Sequence, residues 1–199
     1  MYPGYYAADA PKHPAAINAA TNEVLTYGQL DARSNQLAHL FHEKGLRRND
    51  HIALFMENNL RFFEVAWAAL RSGLYITTIN RYLTAEEAAY IVSDSGAKAL
   101  VSSHAMSAAA SELGSLIPDC PNLLMTDGLI DGWDSYEERL DDFSEGPLAE
   151  QWLGGSMLYS SGTTGRPKGI LRALPEIKVT DIEPTAPGIG SVYGFDRSG

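Results

Sequence analysis

The 199-residue sequence predicts an α/β fold in which helices flank a doubly wound, mostly parallel sheet. Two observations lead to this prediction. Helical patterns alternate with short apolar runs typical of buried strands from residue 25 to about residue 125. Two of the helical patterns also open on a capping box, Thr26 with Gln29 and Thr84 with Glu87. Strands that are joined by helices at this spacing form parallel βαβ units.

The individual elements follow from these patterns. The first predicted helix begins after Thr26, carries Leu30, Leu37 and Phe41 on one face, and ends at Gly45. The helix predicted for residues 60–72 is apolar nearly all round, so we expect it to be buried on most sides. Further helices are predicted at 84–95 and 105–116. Strands are predicted at 51–56, 74–79, 97–101, 123–125 and 156–159.

The rest of the chain has weaker periodicity. Residues 127–155 are predicted to form an acidic, loop-rich connection. Proline and glycine dominate after Leu174, and this tail is too short and irregular to build a core of its own. The sequence therefore predicts one unit over residues 1–169 and a Pro/Gly-rich continuation over residues 170–199.

Charge and composition exclude several classes of protein. The net charge is −10, and residues 127–150 hold nine acidic side chains against one arginine. No basic face is available to neutralise phosphates, so nucleic acid is not an expected partner. Cys120 is the only cysteine, which excludes an intrachain disulfide. The start resembles no signal peptide and no apolar run approaches ~18 residues, so we expect a cytoplasmic protein without a transmembrane segment.

One segment carries chemistry. Residues 159–169 read Tyr-Ser-Ser-Gly-Thr-Thr-Gly-Arg-Pro-Lys-Gly. Glycines let backbone N–H groups approach an anion closely, hydroxyls add hydrogen bonds, and a lysine adds a mobile positive charge. The segment is therefore predicted to bind a polyphosphate. The predicted binding residues are Ser160, Ser161, Gly162, Thr163, Thr164, Gly165 and Lys168.

Two other interpretations of this segment are weaker. A flexible Ser/Thr/Gly linker would not need the Pro-Lys-Gly ending or the apolar runs on either side. A Walker A loop requires Gly-Lys followed by a serine or threonine. Pro167 stands where that glycine is needed, and Gly169 stands where the magnesium-binding hydroxyl is needed.

The segment resembles the phosphate-binding signature of the adenylate-forming superfamily, which includes acyl-CoA and aryl-CoA synthetases, luciferases and the adenylation domains of peptide synthetases. Residues 25–31, 70–73, 79–87 and 94–98 resemble other blocks of the same family. One departure is Thr78, which stands where the family usually has proline. The resemblance implies that the chain is the incomplete amino-terminal part of an adenylate-forming domain.

The resemblance also implies a reaction. A carboxylic acid, which we expect to be a fatty acid, attacks the α-phosphate of ATP to give an acyl-adenylate, and coenzyme A then takes the acyl group. Residues 160–165 would wrap the β- and γ-phosphates, and Lys168 would steady the leaving pyrophosphate. Ser160 matches a hydroxyl that some relatives place near Mg²⁺.

The family's later motifs have no counterpart in this sequence: the magnesium glutamate, the ribose-binding aspartate and the catalytic lysine of the carboxy-terminal domain. We therefore expect a truncated, inactive chain with no catalytic residue of its own. Its uncovered apolar surface predicts self-association, so a homo-oligomer is among the expected partners.

Two alternatives stay open. An adenylation domain that loads a carrier protein usually carries Pro-Leu-Asp-Pro-x-Tyr-Pro after the buried helix, whereas this chain has Thr-Ile-Asn-Arg-Tyr-Leu-Thr at 78–84. This difference favours the CoA ligase. A non-catalytic nucleotide-binding module is the alternative from another class.

Overall fold

The computed structural model describes residues 2–160 and 166–182. The helices are α1 Pro3–Asp9, α2 Tyr27–Glu43, α3 Arg61–Arg71, α4 Ala85–Ser95, α5 Ser107–Leu116 and α6 Tyr136–Asp141. The strands are β1 Pro14–Ile17, β2 Val24–Thr26, β3 His51–Phe55, β4 Tyr75–Thr78, β5 Ala97–Ser103, β6 Asn122–Thr126, β7 Asp134–Ser135, β8 Gly155–Ser156, β9 Leu158–Ser160 and β10 Lys168–Ile170. Short 3-10 turns lie at His104–Met106 and Val179–Asp181.

A six-stranded sheet forms the centre of the fold, in the order β7-β6-β5-β3-β4-β8. All five strand pairings in it are parallel. The chain runs from β3 to β4 on one side and then crosses to β5 and β6 on the other side. This arrangement confirms the predicted parallel α/β sheet.

Helices cover both faces of the sheet. Ile52 and Leu54 of β3 point into a core shared with α2, α3 and α6. Ala53 and Phe55 of the same strand point into a second core shared with α4 and α5. Alternate residues of one strand thus enter opposite cores, as expected of a strand buried on both faces. The doubly wound arrangement is confirmed.

The prediction that helix α3 is buried on most sides is confirmed, with one exception. Val65, Ala68 and Ala69 are fully buried as expected, but Phe63 is 43% exposed. Two charged residues, Glu64 and Arg71, are instead completely buried. Each is buried with partners from distant parts of the chain, and a helix's own periodicity does not reveal such partners.

The acidic segment is more ordered than predicted. Residues 127–155 contain strand β7, helix α6 and the first residue of strand β8. Helix α6 begins at a cap in which the Ser135 hydroxyl accepts a hydrogen bond from the Glu138 N–H. Tyr136 and Leu140, four residues apart, are buried against the sheet, while the acidic side chains occupy the other face. Six residues give too little periodicity for a sequence-based helix assignment.

The elements before α2 were not predicted from the sequence. Helix α1 packs on α2, and β1 and β2 form an antiparallel hairpin. Tyr2 is buried, and its ring makes an edge contact with Trp67 of α3. Tyr2 therefore packs on the body of the protein.

Both predicted capping boxes are present in the structure. The exposed Thr84 accepts a hydrogen bond from the Glu87 N–H, and the Glu87 carboxylate accepts one from the Thr84 N–H at 2.9 Å. We expect Thr84→Ala to lower the free energy of unfolding by about 1 kcal/mol, because one helix N–H loses its partner. Urea unfolding measures this loss. Thr84→Ser keeps the hydroxyl and should recover most of it; equal losses in both variants would assign the effect to the threonine methyl group instead.

Candidate phosphate-binding site

The carboxyl edge of the sheet carries an open crevice of about 630 Å³. In parallel α/β sheets, ligands bind at this edge where the connections of adjacent strands leave toward opposite faces. Here β3 leads into α3 on one face, and its neighbour β5 leads into α5 on the other. The crevice is lined by Met56, Glu57, Asn58, Phe62, Thr78, Ile79, Asn80, Arg81 and Tyr82.

Glu57 is the acidic group of this crevice. Burial alone would raise its pKa, but hydrogen bonds from Ser103 and Asn59 and the charge of Arg81 outweigh burial and lower the pKa overall. Asn59 donates to the carboxylate at 2.8 Å, and the Ser103 hydroxyl at the end of β5 donates to it as well. The Glu57 carboxylate is therefore ionised and held in place. Its hydrogen bond to Ser103 links the chain that follows β3 to the end of β5.

The described ends of the segment predicted to bind phosphate, residues 159–160 and 166–169, lie on a strand pair at the same edge. Strand β8 pairs parallel to β4, so its chain leaves the sheet where β4 ends and continues into β9. Strands β9 and β10 pair in antiparallel fashion. Ser160, the last residue of β9, is the direct partner of Lys168, the first residue of β10. Both side chains are exposed.

The structure thus brings together two of the seven predicted binding residues. Ser161, Gly162, Thr163, Thr164 and Gly165 lie outside the described residues. Directly opposed residues on antiparallel strands have Cβ atoms about 5 Å apart. The Ser160 hydroxyl and the Lys168 ammonium group can therefore reach one anion together, which suits a phosphate group with several acceptor oxygens.

Sequence analysis did not identify the residues that support this hairpin. The Tyr159 hydroxyl donates to Oδ2 of Asp94 at 2.6 Å, and the Tyr90 hydroxyl donates to the carbonyl oxygen of Pro167 at 3.1 Å. Burial is the largest cause of a raised Tyr159 pKa, followed by the hydrogen bond to Asp94. Tyr159 therefore keeps its proton and acts as the donor. No sequence signal marks these partners, because they are separated by 65 and 77 residues.

A buried acidic group lies below the same edge. Glu64 accepts hydrogen bonds from Arg61 and from the buried Tyr136 hydroxyl, both at 2.9 Å. Burial raises the pKa of the Glu64 carboxyl, and the charge of Arg61 only partly offsets this. Arg61 also lies 3.9 Å from carboxylate oxygens of Asp127 and Glu137. The acidic segment thus contributes directly to the charge balance of the sheet edge.

The raised Glu64 pKa predicts a pH dependence of stability. A carboxyl with a raised pKa binds more protons in the folded than in the unfolded state, so its contribution grows as pH falls and is complete below about 4.5, the unfolded value. Relative to Glu64→Gln, the wild-type free energy of unfolding should increase as pH falls from 8 toward 5, with a slope of at most about 1.4 kcal/mol per pH unit. Urea unfolding at several pH values tests this. If the difference in free energy of unfolding between the wild type and Glu64→Gln shrinks at low pH, the charge of Arg61 outweighs burial in setting the Glu64 pKa.

Two classes of site are not found. Across residues 2–160 and 166–182, no group of three or more His, Cys, Asp or Glu side chains could hold a metal ion. Within the same ranges, no helix is both long and apolar enough to cross a bilayer. The assignment of Ser160 to a magnesium site remains a prediction from the family resemblance.

Comparison with known proteins agrees with this geometry. The family model described as "AMP-binding enzyme" matches residues 5–174, which is most of the chain. The chain therefore belongs to the AMP-binding enzyme family, the adenylate-forming class that the phosphate-binding segment indicated.

Three relatives illustrate the range of the family. Human long-chain fatty acid transport protein 1 is 33% identical over 171 residues, which cover 81% of this chain and 26% of that protein. Long-chain-fatty-acid–CoA ligase FadD13 of Mycobacterium tuberculosis is 32% identical over 165 residues, which cover 81% of this chain and 32% of that protein. Bacitracin synthase 2 of Bacillus licheniformis is 33% identical over 163 residues, which cover 81% of this chain and 6% of that protein. The chain thus spans a third or less of each relative.

Solved structures show the same fold. The anthranilate CoA ligase AuaEII in complex with anthranoyl-AMP superposes with a TM-score of 0.75 at 20% identity, over 85% of this chain and 33% of that one. The amino-terminal domain of FACL13 from Mycobacterium tuberculosis has a TM-score of 0.72 at 27% identity, over 86% of this chain and 43% of that one. The predicted fold, an amino-terminal portion of an adenylate-forming enzyme, is confirmed.

Proposed function

We propose that this chain is the amino-terminal part of an AMP-forming acid–CoA ligase that activates a fatty acid. A carboxylate oxygen bonds to the α-phosphorus of ATP while the bond to the β-phosphate oxygen breaks, and pyrophosphate leaves. The CoA thiol then bonds to the acyl carbon, AMP leaves, and the thiol proton passes to solvent. The observation that carries this proposal is Ser160 standing opposite Lys168 on the hairpin whose connection reads Ser-Gly-Thr-Thr-Gly.

The residues of the hairpin have distinct roles in this proposal. The exposed Lys168 ammonium group neutralises charge on the pyrophosphate as it leaves, when that charge is greatest. Ser160 donates a hydrogen bond to a phosphate oxygen. Ser161, Gly162, Thr163, Thr164 and Gly165 supply backbone N–H groups and hydroxyls to the β- and γ-phosphates.

The described residues fit Mg²⁺ only in part. Mg²⁺ prefers six oxygen ligands and takes many of them from water and substrate phosphates. The exposed Ser160 hydroxyl offers one such oxygen. Mg²⁺ bound to ATP would neutralise phosphate charge, and Ser160 would contribute at most one ligand to it.

The substrate class rests on the relatives. Two of the three described above carry "long-chain fatty acid" in their names, and one of these names is that of a CoA ligase. Incubating the ligase with ATP, CoA and a fatty acid should therefore give AMP and a fatty acyl-CoA in equal amounts. Mass spectrometry of the products tests this. Activation of amino acids without use of CoA would exclude the proposal.

Transfer to a carrier protein is the second candidate. It is favoured by the 33% identity to bacitracin synthase 2 and by a relative named fatty acid–[acyl-carrier-protein] ligase ScoC, from Streptomyces coeruleorubidus, at 27% identity. Both candidates share the adenylate step and differ only in the thiol that accepts the acyl group. Offering CoA and a phosphopantetheinylated carrier protein in one reaction separates them, because only the true acceptor becomes acylated.

Two further expectations belong to this proposal. The location should be cytoplasmic, and the chain should self-associate. Exposed apolar side chains on the hairpin, Leu158 and Ile170 at 57% and 52% exposure, favour self-association.

Sequencing the gene beyond codon 199 tests whether the family's later motifs follow. A stop codon there would favour the non-catalytic nucleotide-binding module instead.

A further inference from the structure

Both strands of the phosphate-binding hairpin are tied to one face of helix α4. On the incoming strand β9, Tyr159 donates to Asp94. On the outgoing side, the carbonyl oxygen of Pro167 accepts from Tyr90. Residues 90 and 94 are four apart, so they lie one above the other on the helix surface. One helix turn therefore holds the chain on both sides of residues 161–165.

A third contact strengthens this arrangement. The guanidinium group of Arg166 lies 5.1 Å from the centre of the Tyr90 ring, within the range of a cation–π interaction. The Tyr90 ring and the Tyr159 ring both pack against the core beneath α4 and α5. Apolar packing against the core therefore fixes the Tyr90 ring, and Tyr90 contacts the consecutive residues Arg166 and Pro167 just before β10.

Gly169 allows Tyr159 to reach Asp94. Gly169 and Tyr159 are direct partners across the hairpin. A Cβ atom on residue 169 would lie 2.3 Å from Cε of Met157, and 3.2 Å from both Cζ and Oη of Tyr159, closer than an ordinary van der Waals contact. A glycine here leaves room for the tyrosine ring to lie across β10. The Pro-Lys-Gly ending of the segment thus has a structural reason at its last residue.

Asp94 is poorly placed for helix stability. It is the penultimate residue of α4, and a carboxylate in the last turn of a helix interacts unfavourably with the helix dipole. Proteins break local rules of stability at functional sites. The hydrogen bond between Asp94 and Tyr159 provides a function here.

We propose that Tyr90 and Asp94 are positioning residues for strands β9 and β10, which carry Ser160 and Lys168, and this inference rests on the function proposed above. They hold the Pro167 carbonyl and the Tyr159 side chain, and thereby keep Ser160 and Lys168 aimed at one anion. Neither residue contacts the nucleotide. Fixing Ser160 and Lys168 before ATP arrives reduces the ordering entropy that binding must overcome. A displacement of about 1 Å in such a group can slow a reaction ~100-fold.

The test compares Asp94→Ala, Asp94→Asn, Tyr159→Phe and Tyr90→Phe, with Asp119→Ala as a matched control at an exposed loop position. We expect Asp94→Ala and Tyr159→Phe each to raise the KM or Kd for MgATP roughly 3- to 10-fold, the scale of one net hydrogen bond. The double variant should be no worse than either single variant, because both remove the same bond. Asp94→Asn keeps an acceptor oxygen and should recover most of the affinity.

Hydrogen exchange separates positioning from overall stability. Backbone amides of β9 and β10 should exchange faster in Asp94→Ala and Tyr90→Phe, while amides of β3 and β5 stay as protected as in the wild type. If ATP affinity and hairpin exchange are both unchanged in these variants, the inference is wrong. If the wild type does not bind ATP, the proposed function fails, and hairpin exchange still decides whether α4 holds β9 and β10.

Discussion

Lys168→Ala is expected to slow formation of the acyl-adenylate in the proposed ligase by roughly 10–1000-fold, the scale observed when one oriented electrostatic donor is lost. The Lys168 side chain is exposed and stands opposite Ser160. Its removal leaves the charge of the departing pyrophosphate without this partner. Pyrophosphate exchange into ATP, driven by a fatty acid, measures the step directly. Thr164→Ala should lower the same rate, with a smaller effect because a hydroxyl carries no charge.

Lys12→Ala is the matched control, since Lys12 is an exposed lysine outside the hairpin. It should leave the exchange rate unchanged. Because Lys168 is exposed, its removal should also leave the free energy of unfolding within about 0.5 kcal/mol of the wild type. An unchanged exchange rate in both Lys168→Ala and Thr164→Ala would remove the hairpin from the mechanism.

Asp31→Ala is expected to give the largest loss of stability, about 3–5 kcal/mol, because it leaves a buried charge without its partner. The Arg71 side chain is completely buried, and its Nη2 lies 2.5 Å from Oδ1 of Asp31. Arg71 also donates to Asn35, and its guanidinium group lies 5.2 Å from the centre of the Tyr2 ring. The pair thus joins helix α2 to the end of α3. Urea unfolding measures the loss.

A surface ion pair provides the comparison. Asp141 pairs with Arg33 at 2.9 Å, but the Asp141 side chain is 68% exposed. Asp141→Ala should cost less than about 1 kcal/mol, because water solvates both charges once they separate. Similar losses in Asp31→Ala and Asp141→Ala would mean that burial of Arg71 does not determine the strength of its pair.

The sequence predicted the parts of the fold that depend on local chemistry. The capping boxes at Thr26 and Thr84 begin α2 and α4 as predicted, because a cap involves residues only three apart. Helix α6 was missed, because only two buried residues, Tyr136 and Leu140, mark its inner face. Short elements of this kind form through contacts with a sheet that assembles elsewhere in the chain.

The candidate site was predictable to a similar extent. The glycines, hydroxyls and lysine of residues 159–169 predict a phosphate-binding segment, because their types and spacing are local properties. The pairing of Ser160 with Lys168 and the anchoring to Tyr90 and Asp94 are long-range contacts. A single sequence contains no periodic signal for contacts between residues this far apart.

The central claim is that the carboxylate of the substrate attacks the α-phosphorus of ATP, and oxygen transfer tests it most directly. A fatty acid with both carboxyl oxygens labelled with ¹⁸O is incubated with the ligase, ATP and CoA. Attack on the α-phosphorus, followed by release of AMP from the acyl carbon, must leave one ¹⁸O atom in each AMP formed. We predict AMP that carries one label and pyrophosphate that carries none. Unlabelled AMP, or formation of ADP with label in inorganic phosphate, would contradict the account.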